Sequence, residues 1–201
     1  MNFFRVGVML CAVVLIAASA SGGESRFFPA TAFGQNLDSN QEWIALYSKY
    51  LEGFNEPSLF ERSRSSSSQS YRFLWLRSFH RPVSVRLDVD NDGIGQLMVK
   101  LGSRPGVAYA RGPVQKHVRH LTKQQTDSFL SEVDRLGFWQ LAPEEEPVAG
   151  PDGARWILEG ARDGQYHVVH RWTPKDGVVR TLGLNLALNL GKLKIPAEEI
   201  Y

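Results

Sequence analysis

The stretch RWILEGAR-DG-QYHVVHRWT, residues 155–173, decides how this chain folds. Two runs rich in aromatic and β-branched residues flank Asp163-Gly164, a dipeptide suited to the positive backbone angles of a tight turn. The reading is an antiparallel hairpin, and its two-residue turn sets the register. Ala161 pairs with Tyr166, Glu159 with Val168, Ile157 with His170 and Arg155 with Trp172. Side chains alternate along a strand, so these eight share one face. Glu159 and His170 become diagonal neighbours, within reach of a hydrogen bond. On the opposite face Leu158 meets Val169, and Trp156 meets Arg171 as a packing and cation–π pair.

The pattern continues upstream. Val83, Val85, Leu87 and Val89 alternate with Ser84, Arg86, Asp88 and Asp90, which reads as a strand with one buried and one wet face. Asp90-Asn91-Asp92-Gly93 turns the chain and Ile94–Leu101 returns it. Tyr71–Phe79 reads as a buried strand and Pro113–Leu121 as a polar, exposed one. Thr122 and Gln125 form a capping box ahead of Phe129, Leu130, Val133 and Leu136, and Gly137 closes that helix. Ser39 and Glu42 form another box, opening a helix with Trp43, Leu46, Tyr47, Tyr50, Leu51 and Phe54 on one face. The leucines from Leu182 to Leu193 fit strand or helix spacing, and the lack of β-branching favours helix. Residues 62–70 hold six serines in nine positions and read as a flexible connection. Residues 21–37 read as a poorly ordered lead-in. The expectation is one α+β domain over residues 38–201: an antiparallel sheet of about five to six strands, covered on one face by two or three helices.

The N-terminus bears on location. Arg5 precedes an apolar run, Val6–Ala17, and Ala18-Ser19-Ala20 precedes the polar Ser21. Basic, apolar and small-residue regions in that order describe a cleaved signal peptide over residues 1–20. Export to the periplasm or beyond is expected, and the run is too short for the ~20 residues of a membrane span. The one cysteine, Cys11, leaves with the signal, so the mature chain has neither disulfides nor thiolate chemistry. The net charge of +2 for the whole chain gives no broad attraction for nucleic acid or anionic membrane.

Asp152-Gly153-Ala154-Arg155-Trp156-Ile157-Leu158-Glu159-Gly160, with Gly164-Gln165-Tyr166-His167-Val168-Val169 and Arg171-Trp172, resembles a pattern in a family of uncharacterised exported bacterial proteins. Phe73-Leu74-Trp75-Leu76-Arg77 and Phe138-Trp139 look like the same family. The resemblance spans about residues 70–201. It implies a fold and a compartment, and carries no catalytic residue.

Chemical candidates are few. Asp88, Asp90 and Asp92 with Gly93 match the first half of a calcium loop, but Val99 stands where a bidentate Glu is needed. A hairpin turn explains the segment better. His117/His120 and His167/His170 are spaced for a metal on a helix, yet on strands each pair points to opposite faces. Glu159 beside His170 would raise the imidazole above its ordinary pKa of ~6.5 and orient it as a general base. Arg155, Trp156, Tyr166 and Trp172 are the candidate ligand-binding residues. No phosphate loop, nucleophile elbow or cofactor signature occurs. The balance favours a non-catalytic binding or interaction module of the bacterial envelope, with an unidentified envelope protein or polymer as partner. The alternative is a small envelope hydrolase using His170 and Glu159.

Cleavage after Ala20 predicts Ser21 as the mature N-terminus. N-terminal sequencing of the exported protein checks it, and an intact Met1 recovered from membranes contradicts it.

Overall fold

Asp163 and Gly164 take φ of 51° and 79°, the left-handed pair that lets a two-residue turn join twisted strands. The flanking strands are β5 (Ala154–Arg162) and β6 (Gln165–Trp172). They pair in the register read from the sequence, with Ile157 opposite His170 and Arg155 opposite Trp172. The computed structural model describes residues 26–65, 69–103, 114–144, 150 and 152–201. The expected signal peptide, the first residues of the lead-in and parts of three connections (66–68, 104–113, and 145–149 with 151) lie outside the described residues.

Four further strands complete the sheet: β1 (Gln69–Arg77), β2 (Val83–Val89), β3 (Gly95–Leu101) and β4 (Gln115–Leu121). All neighbours are antiparallel, in the order β4-β3-β2-β1-β5-β6. The helices are α1 (Leu37–Gly53), α2 (Leu59–Ser65), α3 (Lys123–Arg135) and α4 (Gly177–Leu184). The last continues as a wider π-helical turn, Asn185–Leu190, so the leucine-rich element is helical. The fold is α+β.

One sheet face carries the main core. Tyr71, Phe73, Trp75, Val85, Leu97 and Trp156 pack beneath α3, α4 and the π turn. Helix α3 opens with the expected box: Thr122 accepts from the Gln125 amide, and the Gln125 side chain accepts from the Thr122 amide. Gly137 (φ 69°) ends it. Gly160 sits mid-strand, where a Cβ would meet Phe138 at 2.7 Å. Its bare backbone lets the turn Phe138–Gln140 press onto β5.

The opposite face is covered too, which corrects the one-sided expectation. Residues 26–36, α1 and α2 lie over it, and Tyr47, Leu51, Phe28 and Phe33 pack against Leu74, Ile157 and Val168. The described part of the lead-in is therefore ordered by packing, with Phe27, Phe28 and Phe33 at most 2% exposed. Helix α1 starts before the Ser39 box, because the Asn36 side chain accepts from the Ser39 amide as its cap. Asn40 is fully buried, with its side-chain oxygen accepting from the Phe33 amide. The serine-rich stretch is helical through Ser65, Gln69 and Ser70 belong to β1, and residues 66–68 lie outside the described residues. The polar side of β2 is consequently dry: Ser84 is 0% and Arg86 7% exposed.

Trp156 is fully buried, its ring 4.6 Å from that of Trp75 and its indole N–H donating to the Tyr201 main-chain oxygen at 2.8 Å. The Arg171 guanidinium donates to Ala142 and Pro143 carbonyls, and the cation 5.4 Å from the Trp156 ring is Arg180. Trp156→Ala should destabilise the domain by about 3–5 kcal/mol. Denaturant melts measure it, and an unchanged midpoint would mean the ring is dispensable to the core.

Candidate functional site

Where the alternation of β2 promises a wet face, the sheet carries a buried polar layer. Arg72 stands in the apolar run of β1, directly opposite Glu159 on β5. Its Nε and Nη2 each donate to one Glu159 oxygen at 2.7 Å, a bidentate geometry suited to an ionised carboxylate. Both side chains are 0% exposed. Arg72 Nη1 donates to the Pro57 carbonyl, and Tyr166 donates to Glu159 Oε2 at 2.9 Å.

Glu56 enters this layer from the link between α1 and α2. Arg86 Nε lies 2.8 Å from its Oε2, and Lys100 Nζ lies 2.6 Å from its Oε1. Lys100 also donates to the Phe54 and Asn55 carbonyls. Arg86 pairs with Asp88, which accepts further bonds from Ser70 and Arg62. Burial alone would raise the Glu56 carboxyl, but Arg72, Arg86 and Lys100 hold it below the usual carboxylate range. Burial opposes the Arg72 charge, and Glu159 with Glu56 more than offsets it. Burial pushes the Glu159 carboxyl up, with Arg72 and Tyr166 acting against that rise.

His170 shares a face with Glu159, as expected, but has different partners. Tyr47 of α1 meets its Nδ1 at 2.8 Å, and a Glu144 carboxylate oxygen lies 3.1 Å from its Nε2. A carboxylate only accepts, so Nε2 carries the proton and Nδ1 accepts from the Tyr47 hydroxyl. The rings of Phe33, Trp43 and Tyr47 pack around the imidazole. Its pKa is lowered to about 3 by burial first, then by Arg155 and Arg171. The expected rise through Glu159 is therefore reversed. A carboxylate saturated by Arg72 and Tyr166, with an enclosed, weakly basic imidazole, does not make a general-base pair.

The four ligand-binding candidates separate in the same way. Trp156 belongs to the core, and Tyr166 is tied to Glu159. Arg155 and Trp172 do come together. The Arg155 guanidinium lies 4.8 Å from the Trp172 ring and 3.7 Å from that of Trp43. Trp43 stacks on Tyr47 through its ring, with 12° between planes. This cation–aromatic column ties α1 to the end of the hairpin.

The aspartates do not converge on a cation site. Asp88 is committed to Arg62, Arg86 and Ser70, while Asp90 Oδ1 accepts from the amides of Asp92 and Ile94 to shape the turn. His167 and His170 lie on opposite faces, His167 against Phe138 and His170 against Phe33. Among the described residues, no group of three His, Cys, Asp or Glu side chains could hold a metal ion. No family model and no curated protein matches the chain.

Sequence reading missed Tyr47, Glu56, Arg72, Lys100 and Glu144. One signal was readable: Arg72 is a lone charge inside Tyr71–Leu76, and a cation in a buried strand requires a buried anion.

Glu159→Ala would strand Arg72 in the interior and should cost about 3–5 kcal/mol in denaturant melts. His170 supplies a pH test. Its folded pKa lies below the unfolded ~6.5, so its stabilising contribution is present above pH ~6.5. It is lost as pH falls toward 3, at up to about 1.4 kcal/mol per pH unit. NMR should show no His170 titration between pH 7 and about 5, and a midpoint near 6.5 would overturn the enclosed-imidazole description.

Proposed function

We propose that the chain is an exported, non-catalytic binding module of the bacterial envelope, whose partner is an envelope protein or polymer. One observation carries this reading. Glu159 and His170, the pair best placed for acid–base work, are each engaged by other residues and almost fully buried. Such groups stabilise a fold: Glu159 is saturated by Arg72 and Tyr166, and His170 is held between Tyr47 and Glu144. The signal-peptide pattern over residues 1–20 supports export. The resemblance in residues 70–201 supports an envelope setting. No helix among the described residues is long and apolar enough to cross a membrane.

The test compares the mature chain with His170→Asn on chromogenic ester, peptide and glycan substrates, alongside affinity capture from an envelope extract. The expected result is no turnover by either protein, with a saturable partner retained by both. Turnover that disappears in a folded His170→Asn variant would favour the hydrolase alternative.

A further inference from the structure

The sheet has two edges, and they are finished differently. Along β6 the outer side is occupied near its end. The His170 amide donates to the Pro143 carbonyl at 2.9 Å, and the Arg171 guanidinium donates to the Ala142 and Pro143 carbonyls. No strand could pair there without displacing residues 142–143. At the other edge β4 pairs with β3 over all seven residues, Gln115 to Leu121, without a bulge. Among the described residues, no backbone group bonds to its outer side. Among the described residues, alternate N–H and C=O groups of β4 are thus left as a template.

This strand also projects beyond the layers that cover the rest of the sheet. Gln115, Lys116, His117, Val118 and His120 are exposed, and Arg119 is half-buried. Its two faces carry one full cation each, Lys116 beside Val118 and His120, and Arg119 beside His117. Neither cation has an ion-pair partner among the described residues. The acids nearby are engaged elsewhere. Asp127 of α3 pairs with Lys123, Asp88 is bound by Arg62 and Arg86, and Asp90 closes its own turn.

Charge selects among possible occupants. A second copy of β4 would bring only Lys, Arg, His and neutral side chains against the same set, with no acid to complement them. Cations on an edge strand disfavour such self-pairing. An extended segment with acidic residues satisfies the open backbone and both cations together. We propose that β4 is a strand-addition site for an acidic, extended segment of a partner protein. Backbone pairing gives the affinity, and Lys116 and Arg119 select the charge. The inference rests on the binding-module reading and names its partner class.

The test uses the mature chain and three probes: a short alternating Glu–Val peptide, its Lys–Val counterpart, and dextran sulfate. Amide hydrogen exchange and NMR shifts report on β4. The Glu–Val peptide should protect alternate β4 amides. The double variant Lys116→Glu/Arg119→Glu should weaken that peptide by about tenfold or more and accept the Lys–Val peptide instead. That reversal shows the variant is folded and the site intact. Dextran sulfate binding without amide protection would reduce β4 to a polyanion patch and overturn strand addition. Concentration-dependent protection without any probe would assign the edge to a second copy. No protection by either peptide would also overturn the proposal. These failures leave the binding-module reading standing, because that reading is tested separately, by turnover and by partner capture with the mature chain.

Discussion

The bidentate contact between Arg72 and Glu159 is the constraint on which the second half of the structure depends. Both groups are fully buried in the middle of the sheet. Removing two charges from water costs several kcal/mol each, and their attraction offsets that cost only when the geometry is good and the remaining donors are satisfied. Each demand is met by something on the covering layer or the next strand. Pro57 supplies a carbonyl to Arg72, Tyr166 supplies a hydroxyl to Glu159, and Glu56 adds a second anion. Glu56 in turn requires Arg86 and Lys100. Arg72, Arg86 and Lys100 balance Glu56, Glu159 and Asp88 across the layer, and Arg62 joins Asp88 at its more exposed margin. The layer is complete only while the corner between α1 and α2 sits on the sheet.

That corner also determines what His170 can do. With α1 seated, Tyr47 and the surrounding rings enclose the imidazole, and Arg155 is held between Trp43 and Trp172. The two guanidiniums beside His170 then disfavour its charged form in addition to burial. Reactivity at this place would require α1 to lift away, which would uncover the ionic layer as well. The buried ionic layer and the enclosure of His170 are one consequence of the same docking.

The sheet was readable from the sequence because its signals are local. Asp163-Gly164 dictates the hairpin register, and the alternation in β2 and β3 dictates which side chains share a face. Alternation does not say whether a polar face is wet. Ser84, Arg86 and Asp88 follow the pattern of a solvent-facing row, and only the chain-distant α1–α2 corner buries Ser84 and Arg86. The Glu159–His170 pairing failed for a related reason. Their shared face was right, but Arg72 lies opposite Glu159 on β1, and that neighbour depends on sheet order rather than on the hairpin. The serine-rich stretch misled because composition outweighed context. Leu59 anchors α2 by burial, Ser63 donates to the Phe60 carbonyl within the helix, and Ser70 donates to Asp88 from β1. Phe27, Phe28 and Phe33 did carry a signal for packing, since three phenylalanines in seven residues are rarely left in solvent.

The ionic layer also answers a question of register that apolar packing leaves open. A one-residue slip of β1 against β5 would turn every side chain to the wrong face and is excluded by the core. A two-residue slip keeps each residue on its face, so Tyr71, Phe73 and Trp75 would still meet a largely apolar layer. It would, however, place Ser70 or Leu74 opposite Glu159 in place of Arg72. Both charges would then be buried without their partner, at several kcal/mol each. The same slip would move Arg72 away from Glu56 and Pro57, opening the corner that covers the face. Among arrangements that satisfy the hydrophobic pattern, the observed pairing is the one in which the charges also close, and this gives the central strand pair its unique alignment.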